Sequence, residues 1–159
     1  MKKRGQAWGF DSMMGAVIFI TGALVFYFFA LNYGSANNQK VDQLVHDTTS
    51  VADSLLSEGI PANWNATSVT KIGIITNNKV NNTKLATLYN MSRDNYNNTR
   101  RTINTRVNYF INFSEPRIVN SQPVQGIGID PTNATDTFRV THYIVYNDKP
   151  TTLYVILWN

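Results

Sequence analysis

Groups able to do acid–base, nucleophilic or metal chemistry are few and scattered in this chain of 159 residues. The two histidines, His46 and His142, lie far apart in sequence. Asp42 and Asp47 flank His46 at spacings that allow a metal site to be drawn, but a polar helix face accounts for the same pattern. No H-x-x-x-H pair, G-x-S-x-G elbow or phosphate loop occurs, and Gly126-Ile127-Gly128 lacks the third glycine and the helix that a dinucleotide fingerprint needs. Cysteine is absent, which excludes disulfides, thiolate catalysis and cysteine-ligated metals. Arg93, Arg100, Arg101 and Arg106 with Tyr96 and Tyr109 form a candidate basic, aromatic patch; a solvated helix face, or a contact with neighbouring chains or anionic glycans, suits it better than nucleic acid. The expectation is therefore no enzyme, no cofactor, no metal and no nucleic acid. The one covalent chemistry on offer is modification: six N-x-[ST] sequons begin at Asn65, Asn81, Asn90, Asn97, Asn112 and Asn133. Outside a cell these are candidate glycan acceptors, although an Asn- and Thr-rich chain also makes such tripeptides by chance, and Asn112 falls in a predicted strand.

The elements that must present these groups begin with an apolar run, Met13 to Leu31, that contains no charge. As a helix it is about 28 Å long, close to the ~30 Å hydrocarbon layer of a bilayer. Thr21 can bond back to the helix backbone, and Tyr27, within the cluster Phe26-Tyr27-Phe28-Phe29 and near Tyr33, suits an interface. Lys2, Lys3 and Arg4 precede the run and no cation follows until Lys40, which places the N-terminus in the cytoplasm and the remainder outside. The net charge of +4 is mostly this tip: without its three cations, 14 Lys and Arg become 11 against 10 Asp and Glu, a balance of +1. The pI of about 9.4 is thus a signal of topology. Gly15, Gly22 and Ala30, with Ala16 and Ala23, supply small residues along the helix that let others approach closely.

The run is too long for a cleaved secretory signal and is followed by Asn32-Tyr33-Gly34 in place of a cleavage site. Ahead of it stands Lys2-Lys3-Arg4-Gly5-Gln6, and this order of basic leader, Gly-Gln, an acid and a continuous apolar helix resembles the class III signal peptide of archaeal type IV pilins and archaellins. The resemblance covers about the first 31 residues. It implies that a membrane-embedded, prepilin-peptidase-like aspartyl protease cuts between Gly5 and Gln6, leaving the apolar helix on the mature chain to bundle with other pilin subunits. Family members usually carry Glu five residues into the mature chain; here Phe10 holds that place and Asp11 follows. Asp11 can take the assembly role by pairing with a neighbour's N-terminal amine, and Asp11 or Ser12 can equally cap the membrane helix.

Beyond the anchor, Val41, Leu44, Val45, Thr48, Val51, Ala52, Leu55 and Leu56 recur at helical spacing, with Asp42, Gln43, Asp47, Asp53 and Ser54 turned away, until Gly59-Ile60-Pro61 stops the helix. Gly34 either loosens one long helix from about Ser12 to Glu58 or breaks it in two. Past Pro61 the pattern predicts a short strand at 69–75, helical segments at 82–91 and 96–103, a strand at 107–113, further extended pieces around Ile118, Val124 and Ile127, and a hairpin. In that hairpin Phe138, Val140, His142, Ile144 and Tyr146 share a face, the turn lies near Asn147-Asp148-Lys149-Pro150, and Leu153 to Trp158 returns. The expected fold is α+β, a long N-terminal helix on a small antiparallel sheet. It divides into a leader at 1–5, a transmembrane or filament-core helix at 6–34, an amphipathic helix at 35–60 and an extracytoplasmic domain at 61–159. Gly59-Ile60-Pro61 with Trp64, leading into Ile72-Gly73, also looks like archaeal pilin-like surface proteins. Two functions are consistent with this plan: a structural subunit of a pilus-like surface filament, or a single-pass membrane protein that displays a binding domain without polymerising.

Overall fold

The computed structural model describes the backbone of residues 4–159 and the side chains of residues 9–31 and 40–159. Lys2 and Lys3 of the basic leader, and the side chains of Gly5-Gln6 and Tyr33, lie outside the described residues. The fold is α+β. Helix α1 covers Arg4–Leu55, so Gly34 falls within a helical run and does not end it. Asp11 and Ser12 also lie inside α1 and do not cap it, because the backbone is already helical upstream of them.

The chain forms two compact units, Met1–Asp42 and Gln43–Asn159. The first is the bulk of α1, whose segment Gly9–Leu31 runs 23 residues with a mean hydropathy of 2.3, long and apolar enough to cross a membrane. The second contains the last turns of α1, then β1 (Ile75–Thr76), β2 (Lys79–Val80), α2 (Asn82–Asp94), α3 (Tyr96–Ile103), β3 (Asn108–Val119), β4 (Gln122–Gly128), β5 (Thr137–Tyr146) and β6 (Lys149–Trp158).

Four strands make one antiparallel sheet in the order β4-β3-β6-β5. Alternation sends Tyr109, Ile111 and Phe113 of β3, Leu153, Val155 and Leu157 of β6, and Ile144 and Tyr146 of β5 to one face. There they join Leu44, Val51, Ala52 and Leu55 of α1, Leu85 and Leu88 of α2, and Ile103 of α3 in a single core. Each fully buried aliphatic of this set contributes roughly 1.5–3 kcal/mol relative to exposure. The apolar face expected of the amphipathic helix is therefore the buried one, with two adjustments. Val41 is 54 % exposed, since it precedes the start of this unit, and Ser54 turns inward to donate to the Ile72 carbonyl at 2.9 Å.

The turns are built by residues that tolerate positive φ. Asn147 and Asp148 (φ 48° and 61°) join β5 to β6, Asn120 and Ser121 (φ 50° and 64°) join β3 to β4, and Asn77 and Asn78 (φ 52° and 60°) join β1 to β2. Lys79 ties the last hairpin to the first through Asp148, and its ammonium holds the Asp148 carboxyl below the usual carboxylate range. The strand expected over 69–75 is shorter and later than its composition suggests. Lys71 makes only an isolated bridge to Ile60, and the paired strand is Ile75–Thr76. The chain here is committed to a compact loop. The Trp64 indole N–H donates to the Gly73 carbonyl at 2.8 Å, and a Cβ on Gly73 would meet Gly59 N and Ser57 O at 2.3 Å.

Candidate functional site

Two features carry the functional argument: the apolar stretch of α1, and the surfaces on which the sequons sit. Along Gly9–Leu31 every side chain is exposed, with Phe19 at 77 % and Phe26 at 71 %. Thr21 donates to the Val17 carbonyl at 2.8 Å, which satisfies its hydroxyl without water, as an apolar surrounding requires. Gly9, Gly15 and Gly22 have nothing within 4 Å of where a Cβ would stand, so the helix offers shallow open notches along its length. Asp11 is exposed on this helix.

The sequons divide by local structure. Asn65 is exposed and its Oδ1 accepts from Thr67 N at 3.0 Å, the Thr67 hydroxyl at 2.8 Å and Ser68 N at 3.0 Å, an Asx turn. Asn97 and Asn133 are also exposed. Asn81 is the N-cap of α2, its Oδ1 accepting from Thr83 N and Lys84 N while its Nδ2 donates to Thr76 at 3.3 Å. Asn90 accepts from Asn120 Nδ2 at 2.9 Å, and the hydroxyl of its partner Ser92 is buried and accepts from Tyr109. Asn112 is half-buried in β3, and its Oδ1 is enclosed with no hydrogen-bond partner.

Asn112 opens a surface that sequence reasoning did not single out. Register places Asn108, Phe110 and Asn112 opposite Trp158, Ile156 and Tyr154 on the face of the sheet that points away from the core. Thr137, Arg139 and Thr141 extend the same three rows on β5. The Arg139 guanidinium lies 5.3 Å from the Tyr154 ring centre, and Trp158 donates to the Ile129 carbonyl at 3.0 Å. The Phe110 ring fills the space above Gly126, where a Cβ would lie 2.3 Å from it. The signal was present in Leu153-Tyr154-Val155-Ile156-Leu157-Trp158, where both parities of the strand are apolar.

The remaining candidates are dispersed. His46 is exposed on α1, 3.6 Å from the Asp47 carboxylate, whereas His142 sits on the inner face of β5 with its Nε2 enclosed. The basic, aromatic patch assembles only in part: Arg100 lies close enough to Tyr96 to act on its phenol and Arg101 and Arg106 line one surface pocket, but the second tyrosine is no part of the surface. Tyr109 is fully buried, stacked on Tyr96 at 4.9 Å, and donates to the Ser92 hydroxyl at 2.8 Å. Burial pushes the Tyr109 phenol up to about 12 and raises that of Tyr96. Arg93 instead pairs with Asp94 at 3.1 Å. A groove of 660 Å3 runs past His46 and Asp53 on α1, Lys71, and Arg101 and Asn104 at the end of α3. It is open and polar, with both signs of charge in contact with water.

Comparison of the chain with protein-family models, with curated proteins and with solved structures gives no match. The described residues define a class: an α+β domain and, N-terminal to it in the chain, a helix long and apolar enough to span a membrane.

Proposed function

We propose that this chain is a pilin-like structural subunit of an archaeal type IV pilus-like surface filament, made as a membrane precursor and matured by a prepilin peptidase. The observation that carries the reading is the stretch Gly9–Leu31, 23 residues with a mean hydropathy of 2.3 and their side chains exposed. Such a surface is stable only in lipid or against other apolar helices. In the precursor the basic tip stays with the cytoplasmic headgroups, the helix crosses the bilayer, and the sheet domain stands outside. An aspartyl protease in the membrane then cuts between Gly5 and Gln6. Without its three cations the helix exchanges lipid for copies of itself, a transfer with little hydrophobic cost because both surroundings are apolar. The notches at Gly9, Gly15 and Gly22 receive neighbouring side chains, and Asp11 accepts the amine that cleavage creates on Gln6 of an adjoining copy. That pairing supplies register, since an unpaired carboxylate in a dry bundle is costly. Glycans on exposed sequons keep the outer domain soluble.

N-terminal sequencing of the protein from its own cells tests this directly. The expected mature chain starts at Gln6, and replacing Gly5 blocks its appearance. A monomer that keeps Met1 in isolated envelopes refutes the filament and leaves a single-pass surface protein.

A further inference from the structure

We propose that the free edge of β5 pairs antiparallel with the same edge of a second copy of this chain, Thr141 opposite Thr141, so that the two sheets become one. β5 ends the strand order β4-β3-β6-β5. An open edge is a template for strand pairing, and chains guard such edges with proline, lysine, bulges or short strands. The opposite edge is guarded: β4 contains Pro123, its register with β3 shifts at a bulge, and Gly128 takes φ 112°. β5 has none of these devices. Its register with β6 is unbroken from Thr137 to Tyr146, and it contains neither proline nor lysine. Among the described residues no backbone hydrogen bond reaches β5 from an element other than β6.

The alternation of the ladder decides which groups point outward. The two-residue turn Asn147-Asp148 makes Tyr146 and Lys149 a hydrogen-bonded pair, and bonded and non-bonded pairs alternate from there. Two further facts fix the same phase. Pro150, which has no N–H, falls opposite Val145 in a non-bonded pair, and Asn159 N donates to the Asp136 carbonyl, in step with the bonded pair Phe138 and Leu157. Thr137, Arg139, Thr141, Tyr143 and Val145 therefore turn their N–H and C=O groups to the open edge. The first four of these side chains are exposed, Tyr143 at 87 %.

A second copy is selected because this edge complements itself. With Thr141 on the two-fold axis, Arg139 stands opposite Tyr143 of the second copy and Tyr143 opposite its Arg139, cation beside ring, with the two Thr141 residues between them and Thr137 opposite Val145 outside. Each of these pairs exchanges two main-chain hydrogen bonds. On the inner face Phe138 meets Ile144 and Val140 meets His142, so apolar surface continues from one core to the other. Other self-pairings lose at named residues. Centring on Arg139 opposes two guanidinium groups, centring on His142 opposes two imidazoles, and centring on Val140 or Tyr143 runs one end of the strand into the loop before β5 or the turn after it. The two-fold axis is normal to the sheet and reverses every element lying along it, the end of α1 included. The pair thus joins copies that run in opposite directions, as in adjoining filaments, and goes beyond the filament reading without resting on it.

The chain has no cysteine, so single substitutions in the full chain, held in detergent and mildly oxidised, report the pairing as disulfide-linked dimer. Thr141→Cys is expected to cross-link, because opposed Cα atoms in such a pair lie about 5.5 Å apart, within the reach of a disulfide. Thr137→Cys alone sets its thiols about 27 Å apart along the strands and is expected to stay monomeric on a non-reducing gel, whereas mixing it with Val145→Cys gives the mixed dimer. In the Thr141→Cys background, Tyr143→Arg sets cation against cation on both sides of the axis and is expected to lower the cross-linked yield roughly tenfold. Adding Arg139→Tyr, which exchanges the two residues, restores it. Circular dichroism confirms that each variant is folded. A folded Thr141→Cys variant that stays monomeric overturns the proposal. Thr137→Cys cross-linking alone as readily as Thr141→Cys also overturns it, since association through the apolar helix would give that result, as does a yield indifferent to Tyr143→Arg.

Discussion

Replacing Tyr109 by Phe removes one oxygen from the centre of the domain and separates two effects by pH. At neutral pH the variant loses the 2.8 Å bond to Ser92, whose hydroxyl is itself buried. Leaving that group without its donor costs about 1–2 kcal/mol. The second effect appears only in base. In the folded domain the Tyr109 phenol ionises at about 12, against an ordinary value of 10.0. Below pH 10 both folded and unfolded chains hold the proton, and the group adds no pH dependence. Between 10 and about 12 the unfolded chain has released the proton and the folded one retains it, so stability falls as pH rises, at about 1.4 kcal/mol per unit. The integrated loss approaches 3 kcal/mol, a large share of the stability of a domain this size. Urea unfolding of the full chain in detergent, followed by Trp64 and Trp158 fluorescence at pH 8, 10 and 11.5, reads both terms. Wild type is expected to lose most of this stability over the last interval. Tyr109→Phe starts lower and declines with a shallower slope, to which the raised phenol of Tyr96 contributes. Parallel slopes refute the assignment of the alkaline transition to Tyr109.

Three further substitutions probe the same domain. Gly73→Ala forces a methyl into backbone atoms 2.3 Å away and parts the Trp64 loop from the end of α1; a loss of at least about 3 kcal/mol is expected in urea unfolding, with a Trp64 emission shift to the red. Lys84 is 6 % exposed and donates to the Glu58 carbonyl at 2.8 Å and that of Ile75 at 3.2 Å. Lys84→Met is expected to cost about 2 kcal/mol, read as an earlier urea midpoint at unchanged slope. Ser121 sits at φ 64° in a two-residue turn, so Ser121→Gly is expected to stabilise by about 0.5–1 kcal/mol in the same assay.

Periodicity revealed the apolar helix, the core-facing stripe Leu44–Leu55, helices α2 and α3, and the β5–β6 hairpin, because in each a single local repeat and the tertiary burial agree. Two things escaped it. The stretch 69–75 reads as a strand because Val69, Ile72 and Ile74 are β-formers, yet the bond from Trp64 to Gly73 is non-local and overrides propensity. The outward sheet face escapes because a strand with one apolar parity already satisfies the pattern of a half-buried sheet. In β6 the second parity is also apolar, and nothing in the strand itself says which face meets the core. The site fares similarly: sequon positions are plain in the sequence, but whether an asparagine caps a helix, closes a turn or faces water depends on its neighbours in space.

The asparagines show how one composition serves two physical demands. Asn77, Asn78, Asn104, Asn120 and Asn147 all take positive φ, and none heads an N-x-[ST] triplet. These are turn and cap residues, chosen because a short amide tolerates the left-handed region. Asn65, Asn97 and Asn133 head sequons and are exposed. Asn81 and Asn90 head sequons but spend their amide oxygens on α2 and on Asn120. Asn112 stands apart from both groups: it heads a sequon, occupies a central strand and leaves its oxygen without a partner. An enclosed amide oxygen with nothing to bond lowers the stability of the domain by the desolvation it has suffered without return.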